Sequence, residues 1–133
     1  MDPKSLKSVP LLEGLSSTEL QKIGGWADEV DVPAGKHLAD QGDFAYEFFI
    51  IESGTADVLQ NDQHIASLGP GDFFGEIGLV HSARRNATVV ATSPMRLIVM
   101  ARREFSTMEA DLPHVAEAIT KKIEERLERD RRR

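Results

Sequence analysis

The sequence contains no cysteine, which excludes disulfides, thiolate metal ligands and cysteine nucleophiles. No apolar run is long enough to cross a bilayer, and the N-terminus has no basic segment followed by an apolar one, so neither a membrane span nor a secretory signal is predicted. The four histidines are isolated from one another, and none forms a His-x-His pattern with a following glutamate. These absences favour a cytoplasmic protein that is not an enzyme.

The length and charge of the chain limit what else it can be. Its 133 residues, of which 41% are hydrophobic, are enough for one globular domain with a core. Residues 121–133 hold seven Lys or Arg against four Asp or Glu, so this end has a charge of +3 and residues 1–120 account for −9 of the net −6. Because so acidic a body is a poor general binder of nucleic acid, no direct nucleic-acid binding is expected.

Hydrophobic spacing predicts helices at both ends of the chain and short strands between them. Residues 1–8 are predicted to be loose, and Ser16 with Glu19 forms a capping box that starts a helix at Ser17, which runs to about residue 27. Apolar segments separated by turn signals then follow, including the continuous run at residues 48–51. The predicted fold class is mainly β with flanking helices, built on an antiparallel barrel or roll.

The C-terminal part returns to helical spacing. A short helix is predicted before Leu112-Pro113, and a second helix of about 15 residues after it. The second helix has an apolar stripe with a spacing of four: Val115, Ile119, Ile123 and Leu127. This pattern leaves open whether the helix packs permanently on the roll or is a mobile lid and dimer element.

A stretch with regularly spaced glycines at residues 72–90 has the chemistry of a ligand site. Gly75 precedes a short apolar run that predicts one helical turn, whose free N–H groups can hold an anion. Arg85 supplies a planar guanidinium suited to phosphate. Since a carboxylate would repel phosphate, the expected partner of Glu76 is a hydroxyl, as for acidic residues that bind ribose. Together these residues predict a pocket for a ribose joined to a phosphate.

This stretch resembles a known family. Phe-Gly-Glu-Ile-Gly-Leu at residues 74–79 and Arg-Asn-Ala-Thr-Val at residues 85–89 are similar to the phosphate-binding cassette of cyclic nucleotide-binding domains. Gln-Gly-Asp at residues 41–43 and Leu-Gly-Pro-Gly-Asp at residues 68–72 extend the resemblance. It implies a single domain over residues 1–133 with the family's jelly-roll-like β-roll at about residues 29–102, the cassette at 72–90 and a helical lid at about 103–129.

The resemblance also implies a role for each site residue. Arg85 would hold the exocyclic oxygens of a cyclic phosphate, and Glu76 would accept the ribose 2′-hydroxyl. The neighbouring Arg84 is expected to be solvated. Backbone N–H groups would complete the phosphate cradle, and three strand residues would face the base, although plain strand core stays open for these three. The cradle residues are Ile77, Gly78, Asn86 and Ala87, with Gly75 as the glycine that lets the backbone come close to the ligand. The residues that would face the base are Val58, Ile65 and Ala66.

The expected ligand is cAMP, and cGMP stays open because Asn86 can both donate and accept hydrogen bonds at a position where the family links threonine to cGMP. No cofactor and no membrane contact are expected.

Within these 133 residues no helix–turn–helix segment or kinase motif follows the cassette, so two interpretations stand. The chain is a free-standing sensor, or a regulatory part of a larger cAMP-responsive transcription factor or effector enzyme. A homodimer or an effector protein would be contacted through the C-terminal helix. A cupin-like metalloenzyme is the remote alternative.

Overall fold

The computed structural model describes residues 6–7, 9–43, 47–74 and 87–131, with the side chains of all of these except residues 11, 123 and 126–131. A 3-10 turn at Pro10–Leu12 precedes helix α1, eight strands and two further helices. Their bounds are α1 Ser17–Trp26, β1 Asp28–Val32, β2 His37–Ala39, β3 Glu47–Ser53, β4 Ala56–Gln60, β5 Gln63–Leu68, β6 Phe73–Phe74, β7 Thr88–Ala91, β8 Met95–Ala101, α2 Arg102–Asp111 and α3 Pro113–Arg131.

The strands form two four-stranded antiparallel sheets. Sheet A has the order β1-β8-β3-β6, and sheet B has the order β2-β7-β4-β5. Strands β1 to β8 thus pass between two sheets that face each other, as in a β-roll, and helices flank the roll at both ends of the chain. The predicted fold class is confirmed.

The central strands of sheet A, β3 and β8, are buried on both of their faces. Successive side chains of a strand point to opposite faces, and β3 buries side chains on both of its faces. Phe48 and Ile50 belong to a cluster with the helices, here called the helical core, whereas Ile51 belongs to a cluster between the sheets, here called the roll core. On β8, Ile98 contributes to the helical core and Leu97 to the roll core. This burial explains why residues 48–51 form an unbroken apolar run.

Helix α1 begins as the sequence predicts. The Ser16 hydroxyl accepts a hydrogen bond from Glu19 N at 3.1 Å, and Glu19 Oε1 accepts one from Ser16 N at 2.8 Å, which completes the capping box. The second carboxylate oxygen of Glu19 accepts a hydrogen bond from His114 Nε2 in the first turn of α3. The backbone N–H of Ser16, followed by the His114 ring, lowers the pKa of the Glu19 carboxyl. One glutamate therefore joins the start of α1 to the start of the last helix.

Two expectations were wrong. Residues 1–8 were expected to be loose, and this is wrong for Leu6, whose side chain is fully buried in the helical core; residues 1–5 and 8 lie outside the described residues. A single apolar residue in a polar stretch gives no periodic pattern from which its burial could be predicted. Its burial depends on contacts with residues far along the chain. Helix α3 has 19 residues, more than expected, because its charged C-terminal half contains no glycine or proline that would end it earlier.

The turn after β3 generates a prediction about stability. Gly54 has φ +92°, and a Cβ at this position would lie 2.4 Å from the carbonyl oxygen of Pro94. Gly54→Ala should therefore lower the free energy of unfolding by at least about 3 kcal/mol, from backbone strain and from the clash. Urea unfolding followed by the fluorescence of Trp26, the single tryptophan, measures this change.

Gly35→Ala is the matched control. Gly35 has φ +87°, and no atom lies within 4 Å of a Cβ built there. The control should lose only the left-handed strain of about 1–2 kcal/mol. Equal losses in the two variants would show that the contact between Gly54 and Pro94 does not matter.

Candidate functional site

Most of the predicted cassette lies outside the described residues. The predictions for Gly75, Glu76, Ile77, Gly78, Arg84, Arg85 and Asn86 fall there. The structure does describe the strands that enter and leave this stretch, the residue Ala87 at its end, and the three strand residues predicted to face the base. These parts define the frame of the candidate site.

The entry to the cassette is attached to sheet A. The ring of Phe74 in β6 stacks on Phe49 of β3, with centroids 4.7 Å apart and an interplanar angle of 14°. Just before β6, Ile51 N donates to the carbonyl of Asp72 at 2.8 Å, and Gly71 N donates to the carbonyl of Ile51 at the same distance. The chain therefore reaches residue 75 from a strand that is held to β3 by hydrogen bonds and by a ring contact.

The exit from the cassette enters the middle of sheet B. Ala87 is half-buried and directly precedes β7, which pairs with β2 on one side and β4 on the other. Thr88 lies opposite Leu59 of β4, and its hydroxyl accepts a hydrogen bond from Gln41 N at 2.9 Å. Residues 75–86 thus connect the edge strand β6 of sheet A to a central strand of sheet B.

Two of the three predicted base contacts lie side by side. Val58 of β4 is paired with Ala66 of β5, and residues directly opposite each other in an antiparallel pair point to the same face. Both are half-buried, and Val58 packs against the roll core together with Leu68. The structure therefore places Val58 and Ala66 on the inner face of sheet B, Val58 on β4, which adjoins β7, and Ala66 on the edge strand β5.

Ile65 is in a different position from its neighbour. The pairing of β4 with β5 shifts between Val58 and Leu59, so that Ala66 lies opposite Val58 while His64 lies opposite Leu59. Ile65 is the extra residue of this β-bulge, and 55% of its surface is exposed, more than that of any other large hydrophobic residue whose side chain the structure describes.

A polar group occupies the outer face of the same two strands. Ser67 Oγ donates to Asp57 Oδ1 at 3.1 Å and lies 3.0 Å from His64 Nε2. The same ring nitrogen lies 3.3 Å from Asp57 Oδ1, so one nitrogen contacts both partners. A Ser–His–Asp catalytic triad needs the two ring nitrogens to make separate contacts, and this cluster lacks that arrangement.

The hydrogen bonds between Gln41 and Asn61 were not predicted. Gln41 belongs to the Gln-Gly-Asp segment, and Asn61 lies in the β4–β5 turn. The structure joins their side chains, since Gln41 Nε2 donates to Asn61 Oδ1 at 3.0 Å and Asn61 N donates to Gln41 Oε1 at 2.9 Å. The two residues are 20 positions apart, and no local pattern announces a contact of that kind.

Helix α3 packs on the opposite sheet from the predicted base contacts. Val115 is fully buried and Ile119 is 4% exposed, and both belong to the helical core on the outer face of sheet A. Lys122 Nζ donates to the carbonyl of Pro10 at 3.4 Å, close to the start of the described chain. The first half of α3 is therefore held by α1, α2 and sheet A.

An ion pair at the β1–β8 pair lies outside the candidate site. The Arg96 guanidinium, hydrogen-bonded to Asp31 at the β1–β8 pair, lowers the pKa of that carboxyl. Within the part of the chain that the structure describes, no three His, Asp or Glu side chains converge as metal ligands. None of the helices described is long and apolar enough to span a membrane.

Comparison with known proteins identifies the family. Residues 29–111 match the family model of the cyclic nucleotide-binding domain. The cAMP-dependent protein kinase regulatory subunit of Schizosaccharomyces pombe is 36% identical over 104 residues, which are 77% of this chain and 25% of that protein. The chain therefore belongs to the cyclic nucleotide-binding domain family, and it spans about a quarter of the length of the curated relatives it matches.

Solved structures show the same fold. The catabolite activator protein of Thermus thermophilus superimposes with a TM-score of 0.81 and 27% identity, over 91% of this chain and 59% of that one. The regulatory domain of Toxoplasma gondii protein kinase A, crystallised with cAMP, superimposes with a TM-score of 0.78 and 25% identity, over 92% of this chain and 48% of that one.

Proposed function

We propose that this domain binds one cyclic nucleotide per chain, with cAMP as the preferred ligand, and performs no chemistry on it. The observation that carries the proposal is the family match over residues 29–111, which contains Glu76 and Arg85 in the order and spacing of the cassette. The similarity to a regulatory subunit named for cAMP dependence, and to a domain crystallised with cAMP, supports cAMP over cGMP.

The proposed binding mode divides the ligand between two surfaces. Arg85 pairs with the phosphate, while backbone N–H groups of Ile77, Gly78, Asn86 and Ala87 complete the cradle, with Gly75 allowing close approach. Glu76 accepts the ribose 2′-hydroxyl. Val58 and Ala66 form an apolar wall for the base, because they share the inner face of β4 and β5, and β4 adjoins β7. Ile65 contacts the base from the bulge beside this wall.

The output of binding passes to another protein or to another part of a longer product. The relatives in which this domain recurs are several times longer than the matched segment, which supports a regulatory module that acts on an attached or associated effector. A free-standing sensor remains the second candidate. Helix α3 is the proposed contact for a partner or a second copy. Val115 and Ile119 hold its first half in the helical core, and its C-terminal half extends beyond them.

We further propose that the ligand shifts α3. A ligand can shift an equilibrium only through different affinities for the two arrangements. The buried residues Val115 and Ile119 hold the first half of the helix in the helical core, and the second half is the segment proposed to approach the nucleotide.

The first prediction is the binding itself. Titration calorimetry should give a stoichiometry of one cAMP per chain, weaker binding of cGMP and no comparable binding of AMP, whose open phosphate has a different shape and charge. The absence of heat with both cyclic nucleotides at high micromolar concentration would contradict the proposed function. Metal analysis of the purified protein tests the cupin-like alternative in parallel.

The second prediction concerns the phosphate and ribose contacts. Arg85→Ala removes a charged hydrogen-bond partner of the phosphate and should weaken cAMP binding by a factor of roughly 30 to 1000, equivalent to about 2–4 kcal/mol. Glu76→Ala should weaken binding less, and should remove the preference of the protein for cAMP over 2′-deoxy-cAMP. Both effects are measured as dissociation constants by calorimetry.

Arg84→Ala is the matched control, because it removes an arginine of the same charge from the adjacent position. It should bind cAMP within about threefold of the unmodified protein, since rim charges contribute little. A loss as large as that of Arg85→Ala would mean that the phosphate-binding arginine is assigned to the wrong residue.

The third prediction concerns α3. Hydrogen exchange measured with and without cAMP should show added protection in residues 78–82 and 120–128, because the ligand orders the cassette and draws the second half of the helix toward it. Residues 102–111 of α2, which share the helical core, should change less and serve as the internal reference. Protection confined to the cassette would mean that α3 is fixed scaffold.

A further inference from the structure

Strand β1 is an edge of sheet A that is neither shortened nor bulged. The other edge strands among those described are β6 in sheet A and β2 and β5 in sheet B. Strand β6 has two residues, β2 has three with a shift in its register, and β5 contains the bulge at Ile65. Short length and bulges protect an edge from pairing with another chain. Strand β1 instead pairs with β8 over five residues without a shift, and no other described strand pairs with it.

The exposed side chains of β1 give this edge a negative charge. Four of its five residues are exposed, and three of these are acidic: Asp28, Glu29 and Asp31. Arg96 of β8 neutralises part of the charge, since its Nε donates to Asp31 Oδ1 at 3.0 Å. The Asp31 carboxylate, followed by those of Glu29 and Glu52, raises the pKa of the Arg96 guanidinium. Several carboxylates therefore surround a single cation at this edge.

The register of β1 with β8 sorts the central side chains of β1 onto two faces. Glu29 lies opposite Ile98 of the helical core, so it points to the outer face of sheet A, and Asp31 lies on the same face two residues on. Val30 lies opposite Leu97 of the roll core, and 39% of its surface is exposed. A strand added to β1 would therefore meet carboxylates on one face and an apolar side chain on the other.

We propose that β1 is a docking strand for a partner protein and pairs with an extended segment in which Lys or Arg alternates with an apolar residue. The backbone N–H and C=O groups supply hydrogen bonds that any sequence can form, and the side chains supply the selection. Basic residues at alternate positions lie beside Glu29 and Asp31, while the apolar residues between them cover Val30. The inference does not depend on nucleotide binding.

The charge of β1 excludes other occupants. A second copy of this chain that paired β1 with β1 would bring carboxylates together, which is unfavourable for residues that face each other across strands. Nucleic acid and anionic lipid are repelled in the same way. The acidic side chains thus protect the edge against acidic partners and attract a basic one.

Binding of a labelled peptide to the whole chain, followed by fluorescence anisotropy, tests the proposal. The probe is an alternating peptide of three arginines and three valines, blocked at both ends, in about 0.15 M salt to screen distant charges. It should bind with a saturable signal, and a peptide with glutamate in place of arginine should not bind. A block peptide, with three arginines followed by three valines, has the same charge without the alternation. It should bind at least about fivefold more weakly than the alternating peptide.

Two variants test the side chains of β1 in the same assay. Glu29→Lys replaces attraction by repulsion and should weaken binding of the alternating peptide about tenfold. Val30→Thr keeps the branched shape with less apolar surface and should weaken it about threefold. Glu13→Lys is the matched control, because it changes the net charge equally at an exposed residue before α1, and it should change the affinity less than about twofold. Circular dichroism checks that each variant is folded.

Amide hydrogen exchange of the unmodified protein locates the bound peptide without any substitution. Added protection should lie in residues 28–32, and β5, the bulged edge of sheet B, should not change. The proposal is overturned by protection of β5 or α3 in place of β1, by the absence of saturable binding, by equal affinity for the block peptide, or by equal losses in Glu29→Lys and Glu13→Lys. Titration of the same sample with cAMP tests the proposed function separately.

Discussion

The structure depends on the burial of the central strands of sheet A, β3 and β8, on both faces. Strand β3 places Phe48 and Ile50 in the helical core and Phe49 and Ile51 in the roll core, so neighbouring residues of one strand belong to two packed clusters. Protein interiors are close-packed and deform little, so a shift of the helices would displace the strand and, with it, the residues on its other face. The phenyl ring of Phe74, stacked on Phe49, brings the start of the cassette into the same arrangement.

In the proposed binding mode, this arrangement connects the ligand site to a helix on the outer face of sheet A. The cassette begins on β6 of sheet A and ends on β7 of sheet B, whereas the buried residues of α3 pack on the outer face of sheet A. Phosphate binding by residues 75–86, as proposed, would therefore act on a strand whose opposite face contacts the helical core. No separate pathway is needed, because β3 is shared by both clusters. What the coupling requires is that the ligand binds one arrangement more tightly than the other.

Local signals in the sequence predicted their own structures well. The capping box depends on Ser16 and Glu19, which are three positions apart, and it occurs as expected. The sequence did not predict the burial of Leu6 or the pairing of Gln41 with Asn61, since each depends on a partner distant in the chain. The length of α3 was underestimated because a charged helix carries no stop signal. The roles of the cassette residues stay predictions.

The β-bulge in β5 decides which of its residues can face the same ligand. Strict alternation would place adjacent residues on opposite faces of a strand, so Ile65 and Ala66 could not both face one ligand. His64 and Ser67 share the outer face with Asp57 although three positions separate them, which requires one extra residue between them. That residue is Ile65, since Ala66 is paired with Val58. A large apolar side chain left 55% exposed beside Ala66 is unfavourable in water, and contact with a base would cover it.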